Sequence, residues 1–112
     1  MVSPAVGSVV LVRFPFSDLS SSKLRPAIVL ASADRDDWIL CQVTSKSYSD
    51  SRAIEITDAD FLTGSLIRTS YARPGKLFTA NTSLMDRETG KLQTSKFSAI
   101  IGGVIAVLRP VA

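Results

Sequence analysis

The sequence predicts a mainly β domain, a small barrel or half-barrel of short strands, that closes with one C-terminal α-helix. Three observations carry this. Val9 to Ser45 holds three apolar runs of strand length separated by polar gaps. Further short apolar runs follow at close spacing, divided by Gly, Pro, Asp and Ser. From Phe97 onward the apolar period changes from that of strands to that of a helix.

Val9 to Phe16 (VVLVRFPF) is rich in β-branched and aromatic residues and follows Gly7, a turn residue. Pro15 marks its end as an edge or exit, because proline cannot donate to a ladder. Ser17 to Leu24 has no apolar period and reads as a serine-rich loop flanked by cations. Pro26 to Ser32 is a second strand, with proline at the position that tolerates it. Ala33 to Asp37 is a tight polar turn, so the second strand and Trp38–Thr44 form a hairpin. Ser45 to Arg52 is a second polar loop, and Ala53 to Thr57 alternates as a short strand. Thr57 to Asp60 suits a single helical turn. Leu66–Tyr71 and Lys76–Ala80 are short strand candidates on either side of Arg73-Pro74-Gly75, a turn signal. The total is five to seven strands.

Phe97, Ile100, Ile101, Val104, Ile105 and Leu108 make one broad apolar helical face. Thr94 or Ser95 is placed to cap it and Pro110 to end it. Gly102-Gly103 is its weak point, at roughly 2 kcal/mol against two alanines. The other face carries Ser98, Ala99, Gly102, Gly103 and Ala106, and no charge lies between Lys96 and Arg109. A surface helix would carry charge there, so this face is expected to be covered as well, by the barrel or by another subunit. The rival reading is a final strand over Val104–Leu108.

The 112 residues form one domain, 1–112, and a composition 46% hydrophobic and 21% charged is that of a packed protein. A single cysteine, Cys41, excludes an internal disulfide and a multi-cysteine zinc site. The start, MVSPAVGS, has no signal-peptide pattern, and Ala99–Leu108 is too short to span a bilayer. A cytoplasmic location without membrane contact is the expectation. The net charge is +3, with 8 Arg and 5 Lys, compatible with a nucleic-acid partner and suited to bidentate phosphate contact.

The chemistry is bounded by what is missing. There is no His, which excludes Ser-His-Asp, Cys-His and paired-His mechanisms and every histidine metal site. No phosphate-binding GxxxxGK[ST] loop is present. Asp34, Asp36 and Asp37 crowd a turn, where solvated carboxylates are ordinary, so a two-metal nuclease is not expected. No cofactor is expected. Arginines, lysines and hydroxyls at strand ends remain. Arg25 precedes Pro26 and is biased to an extended backbone. If the second and third strands pair antiparallel, Arg25 and Thr44 lie at the same open end, where a guanidinium and a hydroxyl can meet one phosphate. Such a pair favours RNA, which carries its own nucleophile in the 2′-hydroxyl. No residue singles itself out as the general base. Cys41 reads as a buried small apolar residue and Trp38 as core or dimer contact. Phe14 and Phe16 read as packing residues before groove walls, and Tyr48 as a candidate base-stacking residue in a polar loop.

GSVVLVRFPFSDL, KLRPAIVL, ILCQVTS and SYARPGKLFTANTSL, in that order, resemble the MazF/PemK-like toxin family over most of the chain. The resemblance implies an SH3-like barrel with helices, shared with the gyrase-poisoning CcdB-like toxins, and a homodimer. It implies a toxin of a type II toxin–antitoxin system: a metal-independent, sequence-specific endoribonuclease cutting single-stranded RNA to a 2′,3′-cyclic phosphate and a 5′-hydroxyl. It implies a cognate antitoxin, for which an acidic partner suits a basic groove. By resemblance Arg25 is the catalytic arginine and Thr44 its hydroxyl partner. Ser45, Arg73 and Lys76 line the RNA groove, and Lys23 sits on the loop that gates it. Ser8 stands where the family usually has an acidic residue, and the His that some relatives carry near the first loop is missing. The alternative is a non-enzymatic toxin that binds DNA gyrase through the C-terminal helix.

Overall fold

A computed structural model describes residues 3–15, 22–47 and 49–110. The strands are β1 (Ser8–Pro15), β2 (Ser22–Asp34), β3 (Asp37–Thr44), β4 (Ile54–Ile56), β5 (Phe61–Gly64), β6 (Ser70–Asn81) and β7 (Met85–Leu92). Short 3-10 turns cover Asp58–Asp60 and Thr82–Leu84, and helix α1 runs Thr94–Leu108. The strands form one antiparallel sheet in the order β4-β6-β3-β2-β1-β7-β5.

The sheet buries both faces, which is why β1 to β3 read as near-continuous apolar runs. Alternate residues divide between two cores. Val10, Val12, Ala27, Val29, Leu40, Ala80 and Met85 make one, with Phe14, Trp38 and Phe78 against it. Val9, Ile28, Leu30, Cys41, Val43 and Ala72 lie in the other, together with Ile100 and Val104 of α1. Phe14 and Phe78 belong to β1 and β6, three strand spacings apart, or about 14 Å on a flat sheet. Their ring centroids are 4.8 Å apart. The sheet therefore curls with the Phe14 core on its concave side, giving a half-barrel whose other face carries the helix.

The hairpin between β2 and β3 turns at Arg35 and Asp36, with Arg35 at φ 50°. Ala27 pairs with Gln42. The β2–β3 pairing ends there, and Arg25 and Thr44 lie just beyond it at the same open end of the hairpin, paired with Val12 of β1 and Tyr71 of β6.

Several expectations need correction. β2 begins at Ser22 rather than Pro26, so Lys23 lies in a strand opposite Phe14 and not on a loop. Residues 16–21, with Phe16 and most of the predicted first loop, lie outside the described residues, as does Tyr48. Arg73-Pro74-Gly75 is not a turn between two strands. It sits inside β6, where Arg73 pairs with Gln42 and Leu77 with the adjacent Cys41. Pro74, Gly75 and Lys76 bulge out of the ladder there, because proline has no N–H to pair. β5 and β7 were not expected as strands.

The helix begins at Thr94, with Gln93 at the cap position and no side-chain cap bond, so neither Thr94 nor Ser95 caps it. Its two glycines differ. A Cβ on Gly103 would lie 3.0 Å from Pro74 Cγ and 3.1 Å from Ile54 Cδ1, whereas one on Gly102 meets nothing within 4 Å. Gly103 thus lets α1 settle on the bulge of β6. The barrel does not cover Ser98, Ala99, Gly102 and Ala106, which are exposed beside Ile105 and Leu108.

Candidate nucleic-acid interface

A cleft of about 700 Å³ opens at the end of the hairpin away from its turn. The start of β2 supplies Lys23 and Arg25, and the end of β3 and its following loop supply Thr44, Ser45 and Lys46. Residues 65–68 form one lip, and Arg87 and Thr89 of β7 stand on the wall. Five cations line the cleft, Lys23, Arg25, Lys46, Arg68 and Arg87, and no carboxylate does among the described residues. Arg87 is partly offset by Asp86, whose Oδ2 is 3.0 Å from Arg87 Nη1 and which also lies 3.6 Å from Arg13. A wall of this sign attracts an anionic chain and raises its local concentration.

The hydroxyls are held in defined roles. Thr44 is 8% exposed, and its Oγ1 accepts the Lys46 N–H at 3.2 Å. Accepting there leaves the hydroxyl proton of Thr44 to donate. Ser70 Oγ donates to the Arg68 carbonyl at 3.0 Å, and Thr89 Oγ1 donates to the Val9 carbonyl at 3.2 Å. Those two have spent their single proton and face a ligand as acceptors only. Thr44, unlike Ser70 and Thr89, therefore keeps a proton to donate to an anion in the cleft.

Cys41 offers no nucleophile. It is fully buried, its Sγ lies 3.3 Å from the Arg73 carbonyl, and burial pushes its thiol up to about 11. At neutral pH it stays protonated. Among the described residues no three His, Cys, Asp or Glu side chains gather to hold a metal ion. No helix of the described residues is long and apolar enough to cross a membrane.

The structure brings Arg25, Thr44, Lys23 and Ser45 together in this cleft and leaves Arg73 and Lys76 out of its lining. Arg73 Nε meets Asp50 Oδ2 at 3.0 Å, and Lys76 is exposed on the β6 bulge. Sequence reasoning missed Lys46, Arg68 and Arg87. Lys46 was within reach as the next residue after Thr44-Ser45. Arg68 lies in an irregular segment, and Arg87 in a strand whose charged sequence hid it.

Comparison with known proteins bears on the family and the fold. The family model of the PemK-like, MazF-like toxins of type II toxin–antitoxin systems matches residues 5–108. Among solved structures, the Deinococcus radiodurans MazE-MazF complex (form II) aligns with a TM-score of 0.75 at 16% identity, covering 96% of this chain and 97% of that one. A mycobacterial endoribonuclease in complex with its cognate antitoxin aligns with a TM-score of 0.74 at 13% identity over 98% and 99%. The Mycobacterium tuberculosis toxin MazF-mt6 aligns with a TM-score of 0.69 at 12% identity over 90% and 95%. At such identities these likenesses speak for the fold. No curated protein sequence matches the chain.

Proposed function

The chain belongs to the PemK-like, MazF-like toxin family of type II toxin–antitoxin systems, and from that premise we propose that it is an endoribonuclease that cuts single-stranded RNA in the Arg25–Thr44 cleft without a metal. One observation carries the reading: Arg25 and Thr44 both line the cleft at the open end of the hairpin, with five cations and no carboxylate in its described lining.

In the proposed reaction the 2′-oxygen of RNA attacks the adjacent phosphorus and gives up its proton. The bond from phosphorus to the 5′-oxygen breaks, and that oxygen takes up a proton. The products are a 2′,3′-cyclic phosphate and a 5′-hydroxyl. Negative charge grows on the non-bridging oxygens as the fifth bond forms. The Arg25 guanidinium neutralises it, and the Thr44 hydroxyl donates to one of those oxygens. Lys23, Lys46, Arg68 and Arg87, with the Ser45 hydroxyl, bind the flanking backbone. The same cationic cleft suits an acidic segment of an antitoxin, which would compete with RNA for it. The exposed, uncharged strip of α1 at Ala99, Gly102, Ile105 and Ala106 suits burial against a second copy, and a cytoplasmic homodimer is part of the proposal.

The test is a short RNA carrying the cleaved sequence, made with one 2′-deoxy nucleotide at the cut. The deoxy substrate should remain whole while its all-ribose twin yields cyclic phosphate ends. Cleavage of both would contradict attack by the 2′-oxygen. The gyrase-binding alternative is not favoured, since the family match is to the PemK-like, MazF-like toxins.

A further inference from the structure

The loop that carries Ser45 and Lys46 into the cleft is fastened at its far side. Asp50 Oδ2 takes Arg73 Nε at 3.0 Å, across from β6. Its Oδ1 accepts the Arg52 N–H at 2.9 Å, its own N–H donates to the Ser47 carbonyl at 2.9 Å, and its carbonyl accepts from Ala53 at 3.1 Å. One residue thus bonds to Ser47, Arg52 and Ala53 and ties them to the sheet. The two side chains of the pair are only 19% and 16% exposed, so it is better shielded than a surface ion pair. The Arg73 backbone is fixed as well. It pairs with Gln42, two residues before Thr44, and its carbonyl takes the Cys41 thiol.

From this arrangement we propose that Arg73 and Asp50 are positioning residues, a clamp that sets the Thr44–Lys46 turn and so the Thr44 hydroxyl, in place of a phosphate-binding role for Arg73. The inference rests on the ribonuclease reading. The link runs from the ion pair through the Asp50 N–H bond to the Ser47 carbonyl, and from there to the adjacent Lys46 N–H, whose bond to Thr44 Oγ1 orients the hydroxyl. A hydroxyl displaced by about 1 Å can cost up to about a hundredfold in rate. The Asp50 carboxyl is held below its ordinary value of 3.8 by the Arg52 N–H first and by Arg73 second. Its pair with Arg73 is therefore lost only as pH falls through that lowered value.

The two roles for Arg73 make opposite predictions at Asp50. If Arg73 held phosphate, Asp50→Asn would remove a competing anion beside it and tighten RNA binding. If the pair is a clamp, Asp50→Asn and Arg73→Gln should each lower kcat about tenfold or more, with KM and the salt dependence of binding nearly unchanged. The reversed pair, Arg73→Asp with Asp50→Arg, should recover much of the loss. A second readout needs no activity: exchange of the Lys46 amide proton should quicken in both single variants and return toward wild type in the reversed pair. Tighter RNA binding by Asp50→Asn, a reversed pair as poor as Arg73→Gln with Lys46 exchange unmoved, or a salt slope reduced in Arg73→Gln would each overturn the clamp. A wild-type protein that cuts no RNA would overturn the ribonuclease reading alone, and Lys46 exchange would still decide the clamp.

Discussion

The β2–β3 hairpin is polar at both ends, and the two ends use their polarity in opposite ways. At the turn, Asp34, Arg35, Asp36 and Asp37 crowd together. Two of their groups are bonded within the fold: the Asp36 carbonyl accepts both the N–H and the hydroxyl of Thr82, and Asp37 accepts from Asn81 at 2.9 Å. At the open end, Lys23, Arg25, Thr44, Ser45 and Lys46 converge on a cleft with no carboxylate in its described lining. The bonds at the turn tie it to the end of β6 and to the 3-10 turn that follows it. The polar groups at the open end line a cleft whose described charges are all positive. Polarity at a strand end is thus no sign of a site; charge of one sign gathered round a cleft is.

The sharpest way to break this contrast is Arg25→Ala. Cleavage should fall by about a thousandfold or more while the unfolding midpoint, read by circular dichroism, stays near that of wild type. Thr44→Val keeps the shape but loses the hydroxyl, and single-turnover rates should drop roughly tenfold to a hundredfold. Arg68→Gln and Arg87→Gln should weaken RNA binding modestly. Each should also flatten the plot of log affinity against log salt by about 0.7 in a filter-binding titration. At the turn end the direction reverses. Asn81→Ala should cost about 0.5–1 kcal/mol in urea unfolding and leave cleavage unchanged.

The helix offers the same lesson in two adjacent residues. Gly103→Val forces side-chain atoms against Pro74 and Ile54 and should cost about 1–3 kcal/mol in the same unfolding assay. Gly102→Ala points into open space and should stabilise an isolated copy by up to about 1 kcal/mol.

What could be read from the sequence was whatever is set by local pattern. β1, the hairpin and the helix have runs whose period decides them, and antiparallel pairing alone brings Arg25 to Thr44. β7 escaped because DRETGK turns most of its side chains to solvent, with burial only at Met85, Gly90 and Leu92. Its strand character comes from pairing with β1 and β5, which no local window contains. Arg73-Pro74-Gly75 carries every mark of a turn, yet tertiary packing stretches it into a bulge beneath Gly103. Arg73 therefore lies against Asp50 instead of in the cleft, an ion pair between residues 23 apart that spacing does not reveal. Arg87 was invisible for the same reason as its strand.

The most direct test is to incubate purified protein with a long single-stranded RNA in EDTA, beside Arg25→Ala, and map the fragment ends. Discrete cuts by wild type alone, ending in 2′,3′-cyclic phosphates, are the predicted result. Intact RNA from a folded wild-type protein, or equal cutting by the folded variant, would contradict the assignment of this cleft as a ribonuclease site.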